Sequence, residues 1–488
     1  MTAAAPDDER AADVRLSGWG TTMPSVGRLV VQSSDDRDSL AATVKALPAR
    51  GGIARGLGRS YGDPAQRGGG VAVQLRDAAP HVVIDAESAT ATVPAGVSLD
   101  ELLALLVPRG LFVPVSPGTR FVTVGGAIAC DIHGKNHHLE GSFGNHVRRL
   151  SLLLADGTVV ELSPAQRPEL FWATIGGMGL TGIILEATIG LLRIETSRCS
   201  VDTDRAPDLQ ALLTLMEEGD RFFRYSVAWI DLMAKGAHLG RSVLTRGDHA
   251  RVDELAPRQA VDPLVYDARQ RLTVPPVVPG PGLVNHVTIK AFNEMWFRKA
   301  PRRRVGQIVS IPGYFHPLDF VGSWNRLYGR RGFVQYQFLV PFGEERALER
   351  VVERIAASGA PSFLAVLKRF GAANPAPLSF PAPGWALALD LPAATRSLPE
   401  LLHGLDALVL DAGGRHYLAK DAHTTPEAIR RGYARLDEWR AVRAGVDPSR
   451  TWASDQSQRL RLTGDDPAGA THAMSDERAQ RAHRSSPR

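Results

Sequence analysis

Residues 55–63 read Arg55-Gly-Leu-Gly-Arg-Ser-Tyr-Gly-Asp63, the first of three glycine-rich segments that determine the fold class. Glycine permits positive φ angles and lets a ligand approach the main chain closely, and successive amides form concavities that bind anions. The spacing of Gly56, Gly58 and Gly62 differs from the G-x-G-x-x-G of Rossmann domains, and the sequence contains no P-loop motif. Both of these nucleotide-binding classes are therefore disfavoured.

Two further glycine-rich segments follow. Pro117-Gly-Thr119 leads into Val124-Gly-Gly-Ala-Ile-Ala-Cys-Asp-Ile-His-Gly134, and the third segment is Ile175-Gly-Gly-Met-Gly-Leu-Thr-Gly182. Any one of them alone is equally consistent with an ordinary turn. In their order and spacing, however, the three segments resemble the FAD-binding domain of the vanillyl-alcohol-oxidase family over residues 20–192. The resemblance implies that they hold the pyrophosphate of FAD and flank its flavin.

The same resemblance implies an α+β fold of two domains, in which the substrate domain is built on an antiparallel sheet. Residues 246–285 are rich in Pro, Asp and Arg, which predicts a mobile loop within the substrate domain. The predicted organisation is a flexible leader (1–15), an FAD-binding domain (16–193), a substrate-binding domain (194–422), a helical segment that returns to the FAD domain (423–462) and a disordered tail (463–488).

Local signals place some elements. Ser98-Leu-Asp-Glu101 is a capping box, in which the Ser and Glu side chains satisfy free amides at the start of a helix. Pro426 stands where the first residue of a later helix is expected, after Thr424-Thr425. The run from Phe333 to Val340 alternates apolar and polar residues and predicts a strand.

Composition limits the classes of function. Hydrophobic residues make up 44% and charged residues 22% of 488 residues, as in ordinary globular proteins. Cys130 and Cys199 are too few for a disulfide framework. The amino terminus does not resemble a signal peptide, and no apolar run is long enough for a transmembrane helix. The net charge of +5 suits an anionic partner, which includes a phosphate-bearing cofactor, anionic lipid and nucleic acid.

Asp131-Ile-His-Gly-Lys-Asn-His-His138 concentrates histidines near the second glycine segment. His133 and His137 would form a metal pair only on a helix, which Gly134 and Asn136 disfavour, and no further ligands complete a set. We therefore predict no metal. A loop that places His133 and Lys135 over a cofactor and an anionic substrate accounts for the residue types better.

Four segments narrow the family. They are Gly58-Arg-Ser-Tyr-Gly-Asp63, residues 131–138, Tyr225-Ser-Val-Ala-Trp-Ile-Asp231 and Tyr417-Leu-Ala-Lys-Asp421. Together they resemble the flavoprotein subunits of decaprenylphosphoryl-β-D-ribose 2′-epimerases, over residues 15 to 462. In that family the flavoprotein oxidises the 2′-hydroxyl of a lipid-linked ribose to a ketone. A separate NADH-dependent keto-reductase then gives the arabinose used in the arabinan of actinobacterial cell walls. A polyprenyl-phosphate-linked ribose substrate, that reductase partner and a peripheral position on either side of the plasma membrane are thereby implied.

The resemblance also implies roles for individual residues. Lys420 is expected beside the flavin as a catalytic residue, and Tyr61, His133 and Lys135 are expected to take part in proton removal or phosphate binding. The implied cofactor-binding residues are Gly56, Leu57, Gly58, Arg59, Ser60, Tyr61, Pro117, Gly118, Thr119, Gly125, Gly126, Cys130, His133, Gly134, Asn136, His137, Gly179, Ile184 and Tyr417. The implied substrate-binding residues are Lys135, Trp229, Tyr314, Gln335, Gln337, Lys368, Ala386, Ala388 and Lys420.

Two departures from the family pattern have consequences. Many members of the wider flavin family bond the cofactor covalently to a histidine that is Arg59 here, so we expect FAD to be held non-covalently. Relatives commonly carry Asn and Cys at the positions of Ala386 and Ala388, so the contacts in this part of the pocket differ.

Phe292-Asn-Glu-Met-Trp-Phe-Arg-Lys-Ala-Pro-Arg-Arg-Arg304 mixes aromatic and basic residues and could dock on anionic lipid, although a solvated basic rim explains it equally well. Nucleic-acid binding has no recognition motif behind it and is disfavoured. The nearer alternative is a soluble sugar or alditol oxidase that shares the FAD domain and passes electrons to oxygen.

Overall fold

The computed structural model describes residues 11–276 and 282–464. In its amino-terminal part the strands are β1 (Ala11–Leu16), β2 (Ser25–Gln32), β3 (Gly52–Ala54), β4 (Val71–Leu75), β5 (Val83–Asp85), β6 (Thr90–Pro94), β7 (Leu111–Phe112), β8 (Val147–Leu153), β9 (Val159–Leu162), β10 (Ile183–Gly190) and β11 (Leu192–Arg193). The helices of this part are α1 (Arg37–Lys45), α2 (Leu99–Leu106), α3 (Val124–Ala129), α4 (His137–Glu140) and α5 (Pro168–Thr174).

Two main sheets and their helices form this part. The first sheet has the order β1-β2-β4-β3 and the second has the order β5-β6-β10-β8-β9. Helix α2 begins at the predicted capping box, in which Ser98 Oγ accepts from the amide of Glu101, and the prediction of this helix is confirmed. The leucines at positions 99, 102, 103 and 106 of α2 are completely buried in the core of this part. Burial of each such side chain contributes roughly 1.5–3 kcal/mol.

The strands of the following part are β12 (Arg198–Ala206), β13 (Tyr225–Ile230), β14 (Ser242–His249), β15 (Leu272–Thr273), β16 (Arg303–Ser310), β17 (Val321–Gly322), β18 (Phe333–Pro341), β19 (Ala365–Phe370), β20 (Gly384–Pro392) and β21 (Arg415–His416). Its helices are α6 (Leu209–Gly219), α7 (Pro257–Ala260), α8 (His286–Lys299), α9 (Ile311–Phe315), α10 (Glu345–Ser358) and α11 (Leu398–Asp411). Helices α12 (Pro426–Gly432), α13 (Leu436–Val446) and α14 (Asp455–Arg459) follow.

Eight of these strands form one sheet in the order β16-β12-β14-β13-β19-β20-β18-β21. All of its pairings are antiparallel, which confirms the predicted α+β class. Because side chains alternate across a strand, residues such as Tyr336 and Leu389 on one face pack against α6, α10 and α11. The opposite face carries Gln335, Gln337 and Lys368 towards the amino-terminal part. The functional side chains therefore lie on one face of a sheet whose other face is core.

The carboxyl-terminal helices contact the amino-terminal part. Trp439 Nε1 of α13 donates to the carbonyl of Ala173 at 2.9 Å, and Trp452 forms a β-bridge with Gly52. Helix α12 begins with Pro426 after the N-cap Thr425, as its sequence predicts. The described helices include none that is long and apolar enough to cross a bilayer.

Two predicted boundaries are wrong. Residues 11–15 of the predicted leader belong to β1, which pairs along its whole length with β2. Only pairing with β2, a tertiary contact, reveals this edge strand. Residues 246–249 of the predicted mobile loop complete β14, where buried Arg246 donates to Asp204 at 2.7 Å. The last residues of β14 are glycine and charged or polar residues, a composition that is also typical of a loop.

The rest of the predicted loop is partly anchored. Ser197 donates to the carbonyl of Val265, and Arg120 donates to the carbonyl of Ala268. The centre of its proline-rich run, residues 277–281, lies outside the described residues. So do residues 1–10 of the predicted leader and residues 465–488 of the predicted tail.

Candidate active site

A cavity of about 740 Å³ lies between the glycine segments and the polar face of the eight-stranded sheet. All of the predicted cofactor residues except Asn136 and His137 line it. All of the predicted substrate residues except Ala386 line it as well. Residues separated by more than three hundred positions in the sequence are therefore brought together in one cavity.

The three exceptions have other contacts. Asn136 is completely buried and donates to the carbonyl of Pro114 at 2.8 Å. His137 Nδ1 accepts from the amide of Gly371 at 3.1 Å. Ala386 is buried in an apolar cluster with Phe370. Each of these three side chains is enclosed by protein. Their positions therefore do not support the prediction that they contact a ligand directly.

The glycine segments offer the cavity a row of main-chain donors. Within the described residues, the backbone N–H groups of residues 56–60 and of Gly118 and Thr119 donate to no protein acceptor. Gly118 lines the cavity, and a Cβ atom added to it would meet no protein atom within 4 Å. Adjacent amides without partners suit the phosphates of a dinucleotide. Apolar side chains such as Val73, Ala129 and Ile184 line the same region and suit its rings.

A buried carboxylate shapes the loop that follows α3. Asp131 is completely buried and has a positive φ of 41°. Its oxygens accept from the amide of Gly144 at 2.8 Å and from the Ser142 hydroxyl at 2.8 Å. The Asn374 side chain also donates to Asp131, at 2.7 Å. These contacts fix the direction in which the loop presents His133 and Lys135 to the cavity.

His133 lies against Gln337 of the eight-stranded sheet. Gln337 Nε2 donates to His133 Nε2 at 2.8 Å, which leaves the proton of the neutral ring on Nδ1. Burial, together with nearby Lys368, holds the pKa of His133 well below its usual range. The ring is therefore neutral, and its Nε2 lone pair is already engaged. Within the described residues, no three His, Cys, Asp or Glu side chains form a group that could hold a metal.

Two lysines occupy the same end of the cavity. Burial, with a further contribution from Lys368, lowers the pKa of Lys135 to about 7, and burial lowers the pKa of Lys368 to about 8. The Lys135 ammonium donates to the carbonyl of Tyr314 and lies 3.9 Å from the centre of the Tyr314 ring. The pKa values of these two neighbouring lysines are lowered because little negative charge offsets their burial. An anionic ligand would supply that charge.

Lys420 lies next to the first glycine segment. Its Nζ is 4.0 Å from the centre of the Tyr61 ring, and the Tyr61 amide donates to the carbonyl of Ala419 at 3.0 Å. Burial lowers the pKa of Lys420 to about 7, while Asp390 opposes that shift. A neutral lysine is therefore available near neutral pH to accept a proton.

Sequence reasoning missed two carboxylates at the site. Asp390 is completely buried, accepts from Gln335 Nε2 at 2.5 Å, and has a pKa raised by burial to about 7. Asp390 follows Ala388 by two residues and so lies on the same face of β20. The alternation of side chains along a strand could therefore have indicated that Asp390 belongs to the site. Asp319 accepts from the Thr119 hydroxyl at 2.7 Å, and nothing in its local sequence signals this contact.

Comparison with known proteins agrees with this geometry. Residues 29–163 match the FAD binding domain family. Decaprenylphosphoryl-β-D-ribose oxidase of Mycolicibacterium smegmatis (strain ATCC 700084 / mc(2)155) is 46% identical over 452 residues, which cover 92% of this chain and 97% of that protein. The chain belongs to this oxidase family. It is an FAD-dependent oxidoreductase, and the row of free amides is consistent with its cofactor.

Other relatives show how far the likeness extends. An uncharacterized protein from the mprA 5′ region of Streptomyces coelicolor is 41% identical over 375 residues, 75% of this chain and 100% of that protein. Alditol oxidase of Streptomyces sp. (strain IKD472 / FERM P-14339) is 28% identical over 151 residues, 31% of this chain and 36% of that protein. Likeness to alditol oxidase therefore covers only a minor part of the chain.

Proposed function

We propose that this protein oxidises the 2′-hydroxyl of decaprenylphosphoryl-β-D-ribose to a 2′-keto product, the first half of an epimerisation. Identity of 46% across nearly the whole length of a decaprenylphosphoryl-β-D-ribose oxidase is the observation that carries the proposal. The cavity supports it, because three kinds of group line one space. They are main-chain N–H groups for a dinucleotide, glutamine side chains for sugar hydroxyls and lysine side chains for a phosphate.

The glycine segments would hold FAD, with its phosphates on the amides of residues 56–60 and 118–119. Bound FAD supplies the hydride acceptor for oxidation of a carbon that bears a hydroxyl. Arg59, whose guanidinium lies 3.9 Å from the centre of the Trp19 ring, replaces the residue that links the flavin covalently in other families. FAD is therefore held by non-covalent contacts alone.

Proton removal is assigned to Lys420. In its neutral form this amine accepts the proton of the 2′-hydroxyl, and the ammonium that results stabilises negative charge developing beside it during hydride transfer. Asp390 favours that ammonium electrostatically and is held in place by Gln335. Gln337 and Gln335 face the cavity from one strand and orient the ribose hydroxyls.

The phosphodiester of the substrate is assigned to the two-lysine end. Lys135 and Lys368 would place positive charge on either side of it, and an ammonium makes a point-charge contact rather than a bidentate one. Substrate anion raises the pKa of each lysine in return, so binding and protonation are coupled.

The product and the surface suggest two partners. A 2′-ketone on a lipid-linked sugar requires a reductase that delivers hydride to the other face, and we assign this to an NADH-dependent keto-reductase. The exposed Met295 and Trp296 of α8, followed by Arg302 to Arg304, would rest on an anionic membrane surface.

Anaerobic reduction of the bound flavin by a panel of sugars tests the proposal. Polyprenylphosphoryl ribose is expected to bleach the flavin absorbance, whereas free ribose and alditols have little effect. The Lys420→Ala variant should keep its yellow colour and lose about a hundredfold in reduction rate, while the exposed control Lys235→Ala should match the wild type. Comparable reduction by free ribose or an alditol would instead support a sugar or alditol oxidase.

A further inference from the structure

The cavity continues beyond the two-lysine end into an apolar arm. Large side chains that are only partly buried line this arm, and they come from strand β13, helix α8, the turn after α9 and the loop before β19. The lining residues of this arm are Trp229, Phe292, Trp296, Leu318, Phe363 and Leu364.

The rings of this arm form a continuous path. Trp229 Nε1 donates to the carbonyl of Phe363 at 2.9 Å, and the Phe363 ring lies 6.0 Å from that of Phe292. Phe292 in turn stacks on Trp296, one helical turn later, with 5.9 Å between ring centres. The indole N–H of Trp229 is already bonded to Phe363, and the other rings of the path belong to Phe292, Phe363 and Trp296. Within the described residues the path therefore offers hydrocarbon contacts and suits an apolar chain rather than a sugar.

One end of the path adjoins the proposed phosphate position. Trp229 of β13 pairs with Val366 of β19, and Lys368 follows two residues later on the same face of β19. A ligand whose phosphate contacts Lys368 would thus direct its ester substituent along Trp229.

The other end of the path reaches the surface. Trp296 lines the cavity and is also 43% exposed, and Met295 beside it is 57% exposed. The path therefore opens at the surface beside the last turn of α8, which carries Arg298 and Lys299.

We propose that this arm, from Trp229 through Phe363 and Phe292 to Trp296, is an isoprenoid channel that binds the first units of the substrate's polyprenyl chain. The remainder of the chain leaves the protein beside Trp296. This inference rests on the proposed function for the identity of the headgroup. The cavity of about 740 Å³ must also hold FAD and ribose, so it has room for only the first isoprene units.

Chain length provides the first test. Ribose joined through phosphate to two, three or ten isoprene units is used to reduce the flavin anaerobically, and the apparent KM is separated from the limiting rate. The KM should fall steeply over the first units and then level off. Phe292→Ala and Trp296→Ala should each raise the KM for the two-unit substrate about tenfold or more, with the limiting rate unchanged. The control Phe222→Ala, an aromatic residue that is 71% exposed and outside the cavity lining, should have no effect.

Crosslinking of the wild-type protein provides the second test and does not depend on oxidation. A farnesyl phosphate that carries a diazirine on its terminal isoprene should label peptides 286–299 or 363–364. Labelling there without any oxidation of polyprenylphosphoryl ribose would support the channel and refute the proposed function. Normal oxidation with an unchanged KM in both variants, or labelling elsewhere, would overturn the channel.

Discussion

In the proposed mechanism, protonation of Lys420, which Asp390 influences electrostatically, sets the pH dependence of the reaction. Lys420 must be neutral to accept the hydroxyl proton, so the rate of flavin reduction should fall as pH drops below about 7. Lys135 and Lys368 must be protonated to bind phosphate, so KM should rise as pH increases through about 7 to 8. The product of both effects is a bell-shaped profile of kcat/KM.

The Asp390→Asn variant should move the acid limb of this pH profile and leave the alkaline limb in place. Asp390 raises the pKa of Lys420, so its removal should lower that pKa and move the acid limb to lower pH. The alkaline limb should stay in place. An acid limb that does not move in Asp390→Asn would show that a different group accepts the proton.

Arg59 determines how the cofactor is attached. An arginine guanidinium cannot form the bond that a histidine ring forms with flavin, so acid precipitation should give a colourless pellet and a yellow supernatant. Absorbance of the two fractions near the flavin maximum is the measurement. A yellow pellet would show that another residue carries the flavin.

The packing of strand β20 can be tested by the reactivity of cysteines introduced into it. Ala386 and Ala388 lie on one strand face, but only Ala388 lines the cavity, whereas Ala386 is buried in an apolar cluster that includes Phe370 and Tyr417. The thiol of Ala388→Cys should react with a small alkylating reagent, and bound substrate should protect it. That of Ala386→Cys should stay unmodified by intact-mass spectrometry. Cys130 and Cys199 are present in both variants, so the difference in labelling between the variants reports the introduced thiol. Equal labelling of both variants would contradict the packing of this strand.

Helices and strands could be predicted from the sequence where the residues that determine them are close together in the chain. The capping box of Ser98 and Glu101 satisfies amides within one turn, and the run from Phe333 alternates in step with the pleat of its strand. β1 could not be predicted because its structure depends on pairing with β2, a tertiary contact. The contacts of Asp319 depend on a segment two hundred residues earlier, so no local pattern reports them.

At the scale of the whole molecule, Arg459 of α14 ties the carboxyl-terminal segment to both ends of the site. Its guanidinium donates to Asp63, the last residue of the first glycine segment, at 2.7 Å, and to Asp421, which follows Lys420, at 2.7 Å. Arg459→Ala leaves two buried carboxylates without this partner and should cost roughly 1.5–3 kcal/mol. We expect a lower Tm and a raised Kd for FAD, measured by thermal denaturation and by fluorescence of released flavin.

The matched control for this variant is Arg430→Ala, which breaks an exposed pair with Glu427. Exposed pairs contribute about 0–1 kcal/mol, so this variant should resemble the wild type. Equal losses in the two variants, or an unchanged affinity for FAD in Arg459→Ala, would show that the carboxyl-terminal segment does not shape the site.

In the proposed reaction, hydride leaves carbon 2 of the ribose of a polyprenylphosphoryl ribose. The decisive measurement is stopped-flow reduction of the flavin by substrate that carries deuterium at carbon 2. We expect a primary isotope effect on the limiting rate with this substrate and none with deuterium at carbon 1 or carbon 3. An isotope effect confined to carbon 1 or carbon 3 would contradict it.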